Sequence, residues 1–262
     1  MADADAVREG GVPERALQTG APTPPSSPAA PGDEKVMSLV DHLSELRSRI
    51  VRIVLAILVG SAIGFYFANP LIALLAGPAG GTLQNLAPGD AFFIFVRVSV
   101  VTGIILAMPV ILYQLWAFIA PGLTPTEQKA IRPWIPLALV FFALGVGIAW
   151  FVLPYALGFL LSFGTGVFEN KLAASPYFDF VTTMFLAFGL VMEFPILLVG
   201  LARVGILSSD RLRQARRFVI LGIAIFAATA TPGGDLVSPF VLGGTMYLLY
   251  EGTILFIRRT GR

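Results

Sequence analysis

Glu193 sits in an apolar run, after Leu190-Val191-Met192 and before Phe194-Pro195. A charged group inside a hydrocarbon layer costs about 2.5–3.5 kcal/mol on insertion scales, so it must face a helix bundle, a water-filled cavity or a polar partner. Two chemistries suit it: a polar docking or proton-linked site, or a structural carboxyl bonded to a hydroxyl such as that of Thr182 or Thr183. Glu45 and Glu127 stand beside apolar segments rather than inside them. Glu127 follows Pro121-Gly122-Leu123-Thr124-Pro125-Thr126, whose prolines restrict the backbone. A carboxylate held against apolar surface can grip a guanidinium through two parallel hydrogen bonds; the plainer reading is a solvated glutamate. Glu251, near the end of an apolar block, is expected to snorkel or to pair with Arg258 or Arg259.

Catalysis finds no constellation in this sequence. There is neither a G-x-x-x-x-G-K-[ST] phosphate loop nor an H-E-x-x-H metal motif. The single histidine, His42, lies outside the apolar blocks, so a serine nucleophile in the membrane lacks its base. Asp179 and Asp235 fall at block ends on the outer side, where a facing pair of catalytic aspartates is not expected. With no cysteine there is no disulfide, thiolate metal site or cysteine nucleophile. The expectation is a protein without cofactor, metal or enzymatic activity.

The elements that must position these carboxylates are membrane helices. Of 262 residues 56% are hydrophobic and 13% charged, about half the charge of a soluble protein, and the mean hydropathy is +0.82. Six apolar blocks, roughly Ile50–Ala68, Val98–Ile119, Trp134–Leu161, Phe180–Leu201, Phe218–Thr229 and Val237–Ile257, predict an all-α integral membrane protein with six spans. Arginines and lysines gather at Arg47–Arg52, Lys129–Arg132, Arg203–Arg217 and Arg258–Arg262; the alternate connections hold Lys171, with Arg97 at a boundary. That bias puts both termini in the cytoplasm. Residues 1–37 are Pro-rich and polar and read as a disordered tail, 38–258 as the membrane domain and 259–262 as a short cytoplasmic tail. Ser38 and Asp41 suggest a capping box, opening a short amphipathic helix on the membrane surface that runs into the first span, with Glu45 four residues before Arg49 and able to pair with it.

Pro109, Pro136, Pro154, Pro195 and Pro239 are expected to kink helices and favour a concave bundle. Gly60 and Gly64 allow close helix packing, within the chain or between copies. The fifth block is short for a full bilayer, which predicts burial among neighbours or local thinning of the membrane.

The residues also resemble a known family. His42-Leu43-Ser44-Glu45-Leu46-Arg47 is similar to the H-L-x-E-L-R signature of TatC, the multi-spanning receptor of the twin-arginine protein translocase. The run from Pro109 to Leu123, PVILYQLWAFIAPGL, resembles the stretch leading into that family's first cytoplasmic loop. Phe188-Gly189 with Glu193, Phe194 and Pro195 resembles its fourth-span pattern, and Leu212, Arg213, Arg216 and Arg217 its second cytoplasmic loop. Thr231-Pro232 with Asp235, then Met246-Tyr247 with Glu251, resemble its last hairpin. The likeness covers about residues 38–258.

The resemblance implies a concave, six-helix receptor for twin-arginine signal peptides of folded proteins, in the plasma (inner) membrane. It would act with the single-span partners TatA and TatB, use the proton motive force, associate with itself, and bind no nucleic acid. By matching position Glu127 would meet the arginine pair, with Phe118 and the segment Glu45–Arg47 beside it. Glu193 would be the intramembrane polar site for partner helices, and Asp235 a functional residue of the last hairpin. Two departures stand out: Gly233 and Gly234 lengthen that hairpin by one residue, and Gln128 stands where a basic residue is common. The competing readings are a proton-coupled secondary transporter using Glu193 and a passive membrane scaffold.

Overall fold

A computed structural model of the chain describes residues 39–163, 171–203, 205, 207–231 and 235–259. The expected tail 1–37, Ser38 and the Asp41 side chain of the anticipated cap, and Gly233 with Gly234 lie outside the described residues.

Helix α1 (Leu39–Tyr66) runs unbroken, because no proline interrupts it. The surface-lying entry helix and the first span anticipated from sequence are therefore one rod. Helix α2 (Ala68–Ala76) follows with one intervening residue, and the chain crosses a loop to α3 (Asp90–Ile119). The short α4 (Pro125–Ile131) leads to α5 (Trp134–Ser162). The fourth apolar block forms two helices, α6 (Ala174–Val191) and α7 (Phe194–Arg203), separated at Met192 and Glu193. The break has a local cause: Pro195 has no N–H to donate to Val191, and the Glu193 N–H turns instead to the Leu190 carbonyl at 3.1 Å. Helices α8 (Ser209–Ala230) and α9 (Val237–Arg259) complete the chain.

Among the described residues, five segments are long and apolar enough to cross a membrane: 42–66, 90–122, 125–162, 174–203 and 237–259. Helix α8 has 22 residues, about 33 Å of helix, but Asp210, Arg211, Arg213, Arg216 and Arg217 crowd its first half. Its apolar part, from Phe218 onward, is about 20 Å long. Only Pro109 and Pro154 of the five prolines expected to kink helices lie well inside one. Pro136, Pro195 and Pro239 occupy first turns of helices, where the missing N–H has no intrahelical partner to lose.

Helix α6 is the hub. Phe178, Val181, Met184 and Phe188 are fully buried against Ala149, Leu153 and Ala156 of α5, Val98 of α3 and Leu242 of α9. The outer surface is apolar too: Leu58, Phe151 and Phe240 are 59%, 73% and 76% exposed. A water-soluble monomer does not display so continuous an apolar surface; hydrocarbon is its natural solvent.

Helices meet backbone to backbone at glycine. A Cβ on Gly60 would lie 2.7 Å from the Gly103 carbonyl oxygen, and one on Gly64 would lie 2.7 Å from that of Ser99. The G-x-x-x-G pair thus serves the α1–α3 contact inside the chain. Gly145 and Gly189 do the same between α5 and α6, with the Phe188 carbonyl oxygen 2.4 Å from a Cβ built at Gly145. Between the loops that lead into α3 and α6, the Gln84 N–H donates to Leu172 O at 3.0 Å and Ala174 N–H to Gln84 O at 2.8 Å. The Tyr177 hydroxyl donates to Leu75 O at 2.6 Å, and Arg97 of α3 pairs with Asp179 of α6.

Candidate functional site

One cluster forms where the start of α1 crosses the end of α3. His42 stacks on Phe118 with ring centroids 4.4 Å apart and planes 17° from parallel. One turn on, Glu45 accepts from Arg49 Nε at 3.0 Å, and Arg49 Nη2 closes on the same oxygen, the pair expected from their spacing. Arg49 Nη1 also reaches the Gln114 side-chain oxygen at 3.2 Å; Gln114 is 7% exposed, one turn before Phe118 on α3. The second carboxylate oxygen of Glu45 is buried with no hydrogen-bond partner among the described residues, so it retains acceptor capacity. Arg47 points outward.

Glu127 comes nine residues after Phe118 in the chain, at the third position of α4, a helix that packs against α7. Its Oε2 accepts the Thr124 N–H at 2.9 Å and the Thr124 hydroxyl at 2.8 Å, while its own N–H donates back to Thr124 Oγ1 at 3.4 Å. This is a capping box with Pro125 in the first turn. The T-x-x-E spacing of Thr124 and Glu127 carries that signal in the sequence, and the sequence reading passed over it. Gln128 uses its amide to hold Ala120 O at 2.8 Å and Leu123 O at 3.2 Å, lacing the loop before α4. Gln114 was missed as well. The available clue was a lone amide inside an otherwise apolar run.

Glu193 sits at the α6–α7 break, 8% exposed, with Oε1 buried and unpartnered among the described residues. Its main chain is fully engaged: the carbonyl accepts from Ile196 and Leu197 N–H, both at 3.1 Å. The alternative of a structural bond to Thr182 or Thr183 is not realised among the described residues. Thr182 is about 16 Å back along the helix and donates to Phe178 O at 2.5 Å; Thr183, a residue further on, faces outward. Leu190, Val191 and Phe194, flanking Glu193, line an apolar cleft of about 370 Å³ shared with Val219, Ile223 and Met246.

Two further carboxylates take structural partners. Asp235 is buried, and its Oδ1 accepts the Ser238 N–H at 2.5 Å, capping the start of α9. Glu251 pairs with Arg216 of α8 at 2.6 Å rather than with Arg258 or Arg259, which are exposed at the end of α9. Next to it the Tyr250 hydroxyl donates to Leu212 O at 2.5 Å, so the α8–α9 hairpin is tied by both an ion pair and a hydrogen bond.

A polytopic helical bundle with an outward apolar surface, a buried carboxyl at a helix break and a carboxylate–guanidinium cluster where α1 crosses α3 defines a multi-pass membrane protein. The family described as Sec-independent protein translocase protein (TatC) matches residues 41–244, and the chain belongs to that family. It is 39% identical over 246 residues to the Sec-independent protein translocase protein TatC of Synechocystis sp., covering 93% of this chain and 97% of that protein. It is 34% identical to the TatC protein of Carboxydothermus hydrogenoformans, covering 86% and 95% respectively. A crystal structure of a twin arginine translocase receptor, TatC, superimposes with a TM-score of 0.74 at 35% identity, covering 84% of this chain and all of that one. The chain is thus a TatC-type component of Sec-independent protein translocation, and a secondary transporter finds no support in these likenesses.

Proposed function

We propose that the chain is the receptor that binds twin-arginine signal peptides of folded proteins at its cytoplasmic face, as a non-enzymatic subunit. Glu127 meets the arginine pair, and Glu45, Arg47 and Phe118 shape the adjoining surface. The observation that carries this reading is the unfilled acceptor capacity of Glu45 beside the His42–Phe118 stack, with the Glu127 carboxylate, nine residues after Phe118 in the chain, held by Thr124. Buried or positioned carboxylates of this kind favour a planar guanidinium, which offers paired donors, over a lysine ammonium.

In the same reading α8 is a sixth span, both termini are cytoplasmic, and the protein resides in the plasma (inner) membrane. Glu193 receives a polar group from a TatA- or TatB-type helix, since an unpaired carboxyl in hydrocarbon demands such a partner. Transport draws on the proton motive force, and copies of the receptor associate. Asp235 contributes to the last hairpin through its cap on α9.

The test is peptide binding to the purified protein. A peptide with two consecutive arginines should bind at least tenfold tighter than its dilysine counterpart, and Glu127→Ala should abolish the difference. Equal binding of both peptides by the unaltered protein would defeat the proposal.

A further inference from the structure

The hairpin of α8 and α9 leaves an open crevice along its length, of about 480 Å³. Ile220, Ala224 and Ala227 of α8 and Phe240, Gly244 and Tyr247 of α9 line it, and no titratable carboxylate or amine is among its walls. Helix α8 leans chiefly on α9, so the crevice opens outward to the surrounding hydrocarbon.

One end of this crevice is basic. On α8, Arg213 and Arg217 precede Ile220 and Ala224 at helical spacing on the same face. On α9, Glu251 and Arg258 follow Tyr247 at the same spacing. The two helices converge at that end through the Arg216–Glu251 pair at 2.6 Å and the Tyr250–Leu212 hydrogen bond at 2.5 Å. Arg216 holds one oxygen of Glu251, whose other oxygen is buried without a hydrogen-bond partner among the described residues, while Arg213, Arg217 and Arg258 are exposed. Arg217 lies 4.8 Å over the Phe218 ring, a contact made with the guanidinium face that leaves its in-plane N–H donors usable. Asp210 stands three residues before Arg213, less than one turn away on the same helix.

We propose that this crevice is a binding site for an anionic phospholipid, with an acyl chain against Gly244 and Tyr247 and the phosphate among Arg213, Arg217 and Arg258. Both halves of the site call for the same molecule. A free phosphate satisfies the arginines and leaves the crevice empty. A transmembrane helix, about 10–12 Å across, bridges the crevice without filling its floor and brings no anion to its mouth. Basic residues at the membrane surface draw anionic lipid by about fivefold each. The leaflet supplying the lipid follows from the orientation proposed above; occupancy of the site does not depend on it.

The full-length protein in neutral detergent is titrated with phosphatidylglycerol, phosphatidylcholine or inorganic phosphate, reading lipid retention by native mass spectrometry and the thermal unfolding midpoint. Phosphatidylglycerol should be retained at least tenfold better than phosphatidylcholine and raise the midpoint, and phosphate should do nothing. The double variant Arg213→Gln/Arg217→Gln, which leaves the Arg216–Glu251 pair in place, should lose on the order of tenfold in that preference. Gly244→Leu, where an added Cβ meets nothing within 4 Å, should stay folded by circular dichroism and lose the retained lipid. Equal retention of the two lipids, unaltered retention by Gly244→Leu, or a midpoint shift from phosphate alone would overturn the proposal. So would a Gly244→Leu protein that keeps its lipid but loses a single-span partner helix, since the crevice would then belong to that helix.

Discussion

Glu127 combines a local structural task with its proposed role in recognition, and one substitution separates them. A glutamine at the third helical position can still accept from the N-cap residue, so Glu127→Gln keeps the box with Thr124 while removing the charge. The expected outcome is an intact α4, read by limited proteolysis, with twin-arginine peptide affinity reduced on the order of tenfold or more, the usual scale for a charged hydrogen bond. Thr124→Ala does the reverse: the charge stays, the cap goes, and about 1 kcal/mol of local stability is lost. Wild-type affinity in Glu127→Gln would mean that the carboxylate acts through α4 and not on the guest. Glu193 was legible as a buried polar site because one charge among apolar residues is conspicuous. Its real environment was not, because its neighbours are set by the Pro195 break and by the packing of α8 and α9. The Arg216 partner of Glu251 was hidden for a related reason: local spacing proposes partners on the same helix, and the fold supplied one from the next.

Among the helices, glycine contacts decide the packing. The Cβ of any residue replacing Gly64 would lie 2.7 Å from a backbone oxygen of α3, whereas one replacing Gly147 meets nothing within 4 Å. Gly64→Leu should therefore lower the thermal unfolding midpoint sharply, since overpacking costs about 1–3 kcal/mol or more, and Gly147→Leu should be tolerated; similar midpoints for both would contradict the packing described. Helix α8 makes a second test. Spin labels along 218–230 should report a hydrocarbon depth well short of the 30 Å norm if the bilayer thins beside its apolar part, about 20 Å long; a full-depth profile would remove the idea. Hydropathy revealed the long helices because hydrocarbon imposes a blunt compositional rule. Helices α2 and α4 and the first turns of α3 escaped it, being too short or too polar at their ends to leave such a trace.

At the scale of the molecule, orientation in the membrane ties the cluster to its proposed guest. The chain has no cysteine, so a single introduced thiol reports unambiguously. In intact cells a membrane-impermeant maleimide should label Ala87→Cys in the outer loop and spare Thr126→Cys beside Glu127, with both labelled after lysis; the opposite pattern would reverse the topology. Gln128 clasps two carbonyls of the preceding turn. The proposed berth for a visiting peptide is therefore cast while the chain folds, and little ordering remains to be charged to the encounter. Rival cargoes should differ less in how fast they arrive than in how long they stay.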